Sequence, residues 1–153
     1  MKHKLKNALI LTSVCIGSLH IINQFISSAA TVKNLLPIRP GKYFDWRHGR
    51  VYYRKFGSGK PLLLIHDLDP SASAYEGNQL EQQLAKDFTV YSIDLPGCGR
   101  SDKSNMIYTN YFYVQLLNDF TENVIRKKTN VAATGLSGSF VIMAANNNEK
   151  LFD

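Results

Sequence analysis

The sequence predicts an α/β fold: a mostly parallel sheet that begins with an antiparallel hairpin and is preceded by an N-terminal hydrophobic helix. Three observations lead to this prediction. Short, continuous apolar runs, typical of strands buried on both faces of a parallel sheet, alternate with segments of helical periodicity. Two aromatic-rich runs flank a His-Gly pair ahead of the first apolar run, which indicates a hairpin. A basic start followed by an apolar stretch indicates a helix at the N-terminus.

The strands are predicted from composition and length. The hairpin is expected over residues 43–60, with its turn at His48-Gly49 and a Gly-Ser-Gly stretch closing its second strand. The runs PLLLIHD and DFTVYSIDLPG are short and apolar and indicate two buried strands. The run NVAATG, residues 130–135, is a weaker third case. We therefore expect five strands.

Helical patterns lie between and after these strands. The apolar stripe in residues 74–86 is interrupted by Gly77, which leaves a gap on the expected helix. A third helix is expected to open at Phe140. The longest stripe, within residues 110–125, consists of Phe112, Leu116, Leu117, Phe120 and Val124. Strands that alternate with helices favour a parallel sheet with helices on its faces.

Three segments are expected along the chain. Residues 1–30 form a signal or membrane anchor, residues 31–42 a linker punctuated by proline and glycine, and residues 43–153 a single domain. The first segment leaves three interpretations open: an uncleaved anchor that crosses the membrane through residues 8–30, a cleaved secretory signal, or a soluble amphipathic helix. We favour the anchor, with the domain on the extracytoplasmic side; a cleaved signal would make the protein secreted.

The charge of the chain does not favour a nucleic-acid partner. The formal net charge is +6, but Lys2, Lys4 and Lys6 supply half of it and no acidic residue precedes Asp45. The remainder is a mildly basic surface without a stripe of cations, so we expect no binding to nucleic acid. The only two cysteines, Cys15 and Cys98, are not spaced as metal ligands. No metal and no organic cofactor is indicated.

Three loops that leave predicted strands are rich in small and polar residues, and ligands of open α/β sheets bind at such strand ends. The third loop, GLSGS, contains Ser137 with small residues two positions before and two after it, Gly135 and Ser139. This spacing suits a strand–turn–helix elbow that presents a nucleophilic serine. The N–H groups of Gly138 and of Leu68 or Asp67 are the expected donors to an oxyanion.

These motifs together make the chain resemble the N-terminal half of an α/β-hydrolase fold protein, over residues 43–153. His66 is similar to the histidine of the family's oxyanion loop, and GLSGS to its Gly-x-Ser-x-Gly elbow. The loop DLPGCGRSDK is similar to the family's Asp-x-x-Gly-x-Gly-x-Ser loop, whose structural residues would here be Asp94, Gly97, Gly99 and Ser101. The N-terminal segment suggests a membrane-attached bacterial branch.

The resemblance implies a serine hydrolase that cleaves an ester, amide or similar bond of a small-molecule substrate, whose class the sequence does not identify. The chain departs from the family at Asp67, where glycine is usual, and at Gly77, where a large aromatic is common. In the family the triad acid and histidine follow the serine, whereas no histidine follows Ser137 here.

We therefore interpret the chain as truncated, without the triad acid and histidine, and expect the 153-residue polypeptide to be inactive. The alternative is a catalytically inactive, membrane-tethered binding protein of the same fold.

Overall fold

The computed structural model describes residues 2–32 and 40–153, and the side chains of residues 4–28 and 40–153. Most of the predicted linker, residues 31–42, lies outside the described residues. The chain divides into two compact units, Met1–Pro37 and Ile38–Asp153.

The first unit contains a single described helix, α1, which spans Lys2–Val32. Within its 25-residue stretch Lys4–Ser28, an 18-residue window reaches a mean hydropathy of 1.7, and α1 is the one helix among the described residues long and apolar enough to cross a membrane. A signal sequence near an N-terminus passes the same test of length and composition, so an anchor and a signal both fit this helix.

In the second unit, residues 40–153 form five strands, three helices and a π-helical turn, Thr121–Ile125, that continues the second of these helices. In chain order the elements are β1 Lys42–Trp46, β2 Gly49–Phe56, β3 Lys60–Ile65, α2 Asn78–Leu84, β4 Phe88–Ile93, α3 Asn110–Phe120, β5 Asn130–Ala133 and α4 Ser137–Asn147.

The five strands of the second unit form one mixed sheet in the order β1-β2-β4-β3-β5. The predicted hairpin is present as the antiparallel pair β1–β2, and β2 continues antiparallel along β4. The pairs β3–β4 and β3–β5 are parallel, as the alternation of strands and helices predicted. Strands β3 and β4 lie inside the sheet and pack side chains on both faces, which explains their continuous apolar sequences.

Helix α3 forms because a capping residue precedes a strong apolar stripe. The hydroxyl oxygen of Thr109 accepts a hydrogen bond from the N–H of Phe112 at 3.2 Å, which caps the first turn. Four of the five predicted stripe residues are buried and Val124 packs against the same core. Burial of each large apolar side chain contributes about 1.5–3 kcal/mol. Phe140 of α4 stacks on Tyr113 at 4.9 Å between ring centroids, which joins the two helices over the sheet.

Two helix boundaries differ from the sequence prediction. Helix α2 starts at Asn78, four residues later than predicted, because the preceding residues form turns and the N–H of Ala74 is held by the carboxylate of Asp94 at 2.8 Å. Helix α4 starts at Ser137, three residues earlier than predicted. The second difference moves the predicted nucleophile from an exposed turn into the first turn of a helix.

Candidate functional site

The loops that follow β3, β4 and β5 meet at one edge of the sheet, because these three strands run parallel and their carboxyl ends lie together. His66, the first residue after β3, contacts both neighbouring loops. Its ring accepts a hydrogen bond from the N–H of Leu95 after β4, and its carbonyl oxygen accepts one from the hydroxyl of Ser137 after β5.

The loop after β4 is held by side chains that bind backbone groups. Asp94 is 2% exposed, and its two carboxylate oxygens accept hydrogen bonds from the N–H groups of Ala74 and Arg100, each at 2.8 Å. The Ser101 hydroxyl donates to the carbonyl of Asp94 at 2.5 Å and accepts from the N–H of Tyr52 at 2.8 Å. These bonds fix the loop against both the hairpin and the segment before α2.

Two glycines in the same loop have backbone conformations that other residues rarely adopt. Gly97 has a φ of +90°, and Gly99 has a φ of +49°. A Cβ on Gly99 would overlap the carboxylate of Asp94. The glycines therefore allow the chain to wrap closely around the buried aspartate.

The two ring nitrogens of His66 already have partners. The side chain is 6% exposed, with Nε2 2.9 Å from the N–H of Leu95 and Nδ1 2.7 Å from the carbonyl oxygen of Asp67. Because Nε2 accepts from an amide, Nδ1 carries the proton and donates to the carbonyl. The imidazole thus holds two loops together and has no free lone pair directed at Ser137.

Ser137 lies differently from what the spacing of GLSGS predicted. It is 0% exposed, and its hydroxyl donates to the carbonyl oxygen of His66 at 2.6 Å. The N–H of Gly138, predicted to face an oxyanion, donates instead to the carbonyl of Gly135 at 3.2 Å within the turn. The physical reason is the early start of α4, which directs the first helical turn toward the backbone of the loop after β3.

The carboxylate of Asp67 lies between the loop after β3 and the turn after β5. Its Oδ1 accepts hydrogen bonds from the N–H of Leu68 at 2.7 Å and from the N–H of Leu136 at 2.8 Å. Gly135 has a φ of +58°, and a Cβ on it would overlap this carboxylate. Of the predicted oxyanion donors, Leu68 therefore already has an anionic partner.

Sequence reasoning missed Leu136 as a donor in this turn. A signal was available, because the spacing of small residues that selected Ser137 also fits a turn centred on Gly135, with Ala133 two before and Ser137 two after. The sequence alone does not choose between these two registers.

Cys98 lies among these loops as an unreactive thiol. It is buried, and its Sγ lies 3.5 Å from the carbonyl oxygen of Asp69. Burial raises the pKa of the Cys98 thiol, and the nearby carboxylate of Asp94 raises it further. The thiol therefore stays protonated at neutral pH and is a poor nucleophile.

An open cavity of about 320 Å³ lies beside the loops after β3 and β4. Its lining is mostly apolar and consists of Leu68, Asp69, Pro70, Pro96, Gly97, Cys98, Tyr108 and Tyr113. In residues 2–32 and 40–153, no three His, Cys, Asp or Glu side chains are grouped so that they could hold a metal ion. The arrangement offers space for a small apolar molecule next to backbone donors that are already occupied.

A second cavity, of about 240 Å³, lies beside α2. Gly77 and Leu80 line it together with residues of β3, β4 and β5. The gap that Gly77 leaves in the apolar stripe of residues 74–86 thus opens onto this space.

Comparison with known proteins places the chain in a fold family. No family model matches the sequence. An uncharacterized protein of Mycobacterium tuberculosis is 30% identical to the chain over 126 residues, and one of Mycobacterium bovis is equally similar. The match covers 79% of the chain but 36% of the relative, so the chain spans about a third of the length of the curated relatives it matches.

Solved structures match the fold over about three quarters of the chain. A meta-cleavage product hydrolase of Pseudomonas fluorescens has a TM-score of 0.69 at 25% identity, covering 74% of this chain and 42% of that one. An epoxide hydrolase gives 0.68 at 26%, covering 74% and 39%, and an alpha/beta hydrolase fold protein of Burkholderia ambifaria gives 0.69 at 21%, covering 75% and 42%. The chain is therefore an α/β-hydrolase fold protein.

Proposed function

We propose that this polypeptide is a binding protein built on the α/β-hydrolase fold and that it does not hydrolyse substrates through Ser137. The observation that carries the proposal is the state of the Ser137 hydroxyl, which is fully buried and donates to the carbonyl of His66 at 2.6 Å. A serine becomes a nucleophile when a base takes its proton and its oxygen faces the substrate. Neither condition is met in this geometry.

The histidines of residues 40–153 support the proposal. They are His48 and His66. His66 uses both ring nitrogens to hold backbone groups. His48 lies in the turn between β1 and β2, where its ring packs against Trp46 at 4.7 Å between centroids. Neither imidazole is placed to accept a proton from Ser137.

The ligand that fits best is a small, largely apolar molecule without a negative charge. The cavity of about 320 Å³ is within the size range of small-molecule pockets, and its mostly apolar walls include two tyrosines and two prolines. Asp69 lines the cavity, and Leu68, another lining residue, donates its N–H to the carboxylate of Asp67; these two negative charges would disfavour an anionic ligand.

The N-terminal helix supports tethering of this domain to a membrane. Its stretch Lys4–Ser28 is long and apolar enough to span a bilayer, and we propose that it places the domain on the extracytoplasmic side. Cleavage of the same helix as a signal would give a secreted protein. Membrane fractionation combined with intact-mass measurement tests this: a protein in the soluble fraction that retains Met1 would contradict the anchor.

A serine hydrolase of esters, amides or similar bonds is the second candidate. It is favoured by the names of the solved relatives, which include a meta-cleavage product hydrolase and an epoxide hydrolase. This activity would require the first turn of α4 to rearrange so that Ser137 faces the cavity, and a base other than His66.

Labelling with a fluorophosphonate separates the two candidates. The full chain in detergent is incubated with the probe beside its Ser137→Ala and Ser139→Ala variants. We expect no labelling of any of the three, because the Ser137 hydroxyl is buried and donates to a backbone carbonyl rather than to a base. Labelling that is lost in Ser137→Ala and kept in Ser139→Ala would overturn the proposal and establish the hydrolase.

Binding is tested with benzene as a neutral probe, followed by the amide resonances of residues that line the cavity. Cys98→Met adds volume and should abolish saturable shifts, whereas Cys98→Ala removes volume at the same position and should retain them. Equal responses of the two variants, or no response of the unmodified chain, would contradict binding in this cavity.

A further inference from the structure

The geometry assigns the apex of the strand-to-helix turn to Gly135. Two backbone N–H groups beside this apex form a site for an anion, and the carboxylate of the chain's own Asp67 fills that site. The same carboxylate occupies the space that a side chain at position 135 would need. The pairing of Gly135 with Asp67 does not involve Ser137, and its tests require no ligand in the apolar cavity, so their failure and the failure of the proposed binding function are distinguishable.

The backbone identifies the apex. Strand β5 ends at Ala133 and α4 begins at Ser137, so the direction of the chain reverses within three residues. Gly135 is the one of these with a positive φ, at +58°, while Leu136 already has a helical φ of −63°. A sharp strand-to-helix turn projects the side chain of its strained residue above the sheet. At this apex the chain carries no side chain.

Two N–H groups converge beside the apex. One belongs to Leu136, the residue directly after it, and the other to Leu68, in the loop after β3. Donors from these two places, aimed at one point, stabilise an oxyanion in acyl-transfer sites. Here both donate to the same atom, Oδ1 of Asp67, at 2.8 and 2.7 Å. The point where negative charge would develop already carries a carboxylate.

The carboxylate and a side chain at position 135 exclude each other. An ideal Cβ built on Gly135 would overlap all three heavy atoms of the Asp67 carboxyl group. Glycine at 135 and aspartate at 67 are thus a matched pair, since the first leaves the space that the second fills. The resulting charge-assisted hydrogen bonds tie the loop after β3 to the turn after β5.

The occupied donors also affect which ligands can approach. Leu68, whose N–H is one of the two donors held by Asp67, is also one of the residues that line the cavity of about 320 Å³. The site is autoinhibited toward anions, because its donors are satisfied and its charge is negative.

A double-mutant cycle tests the matched pair. Unfolding by urea is measured for the unmodified chain, Gly135→Ala, Asp67→Gly and the double variant. We expect Gly135→Ala to lower the folding equilibrium constant in both backgrounds. The factor should be at least about tenfold larger in the unmodified chain than in Asp67→Gly, because substitutions of residues in contact have coupled effects on stability. The free-energy cost of a positive φ at alanine is the same in both backgrounds. The overlap of the new Cβ with the Asp67 carboxylate is present only in the unmodified background.

Gly97→Ala is the matched control for this cycle. Gly97 also has a positive φ, of +90°, but its Cβ would meet the ring of Tyr108 rather than Asp67. Its cost should be the same in both backgrounds. Equal costs of Gly135→Ala in the two backgrounds would overturn the pairing of Gly135 with Asp67.

A second measurement requires no change at Gly135. Sodium acetate is titrated into the unmodified chain, Asp67→Gly and Asp67→Asn while the amide resonances of Leu68 and Leu136 are followed. We expect saturable shifts of both amides in Asp67→Gly alone, because only that variant empties the donors; the amide oxygen of Asp67→Asn still fills them. The assignment of an anion site would be overturned if acetate did not shift the two amide resonances in Asp67→Gly, or if it shifted them equally in the unmodified chain.

Discussion

The loop after β4 and the turn after β5 use the same residue types at the same edge of the sheet, yet only the first could be interpreted from its sequence. Both are short and rich in glycine and serine. In the loop, Asp94 supplies a unique anchor to which the glycines and Ser101 are fitted. In the turn, small residues alternate so that one spacing rule fits two registers, centred on Gly135 or on Ser137.

Each of these two regions contains one buried serine that donates to a backbone carbonyl. Ser101 donates to the carbonyl of Asp94 at 2.5 Å, and Ser137 donates to the carbonyl of His66 at 2.6 Å. Both hydroxyls satisfy a backbone acceptor near a strand end. A serine among glycines at a strand end can therefore bind backbone in either region, and its neighbours alone do not define a nucleophile.

The largest expected effect is the loss of the anchor in the loop after β4. Asp94→Ala should lower the free energy of unfolding by about 3–5 kcal/mol, because two N–H groups lose a charged and buried partner. Asp102→Ala, a change in the same loop at a half-exposed carboxylate, should cost much less. Urea denaturation measures both, and equal losses would mean that Asp94 is not the anchor.

A smaller effect is expected in the turn after β5. Ser137→Ala should cost about 1–2 kcal/mol of unfolding free energy, because the carbonyl of His66 loses its buried donor. Ser139→Ala changes an exposed hydroxyl that donates to Leu136 O and should cost less than about 0.5 kcal/mol. A Ser137→Ala variant as stable as the unmodified chain would mean that the hydroxyl has no structural role.

Alkylation of thiols tests the packing of the loop after β4. Cys98 in the folded chain should react with iodoacetamide at least about tenfold more slowly than in urea, because burial both raises its pKa and blocks access. Quantitative mass spectrometry of the peptide that contains Cys98 measures this ratio. Equal rates in the two states would show that the loop is open in solution.

The smallest effect concerns the pH dependence of stability through Tyr113, whose hydroxyl donates to the carbonyl of Pro96 in the same loop. Burial raises the pKa of Tyr113 above its ordinary value of 10.0, so this tyrosine ionises more readily in the unfolded chain. The stability that Tyr113 contributes is fully present below its pKa in the unfolded chain. It is lost as the pH rises toward the pKa of Tyr113 in the folded chain.

Urea midpoints should therefore fall between about pH 9 and about pH 11, and Tyr113→Phe should reduce the fall. Part of the dependence should remain, because burial also raises the pKa values of Tyr52 and Tyr53. An unchanged slope in Tyr113→Phe would contradict the contribution of Tyr113.

Much of the fold followed from local sequence patterns. Continuous apolar runs are sufficient to predict β3 and β4, because strands inside a parallel sheet bury both faces. Helix α3 likewise follows from the periodicity of its apolar stripe. The start of α2 could not be predicted, since the carboxylate of Asp94, 20 residues away in sequence, holds the N–H of Ala74.

The candidate site could be predicted in location but not in register. The sequence indicated that the loops beginning at His66, Asp94 and Gly135 would meet, because parallel strands end at one edge. It also marked Asp67 as a departure from the family pattern. The direction in which that carboxylate points depends on a contact between residues 67 and 136, which no local pattern encodes.

By itself, then, the sequence determined the order of strands and helices, the hydrophobic N-terminal helix and the edge of the sheet where a site would lie, because these depend on periodicity and composition over neighbouring residues. Only the tertiary structure decided that Ser137 is buried against His66 and that Asp67 fills the donors beside Gly135. Those two outcomes depend on which backbone groups of distant loops come within hydrogen-bond distance, and packing of the whole sheet fixes that.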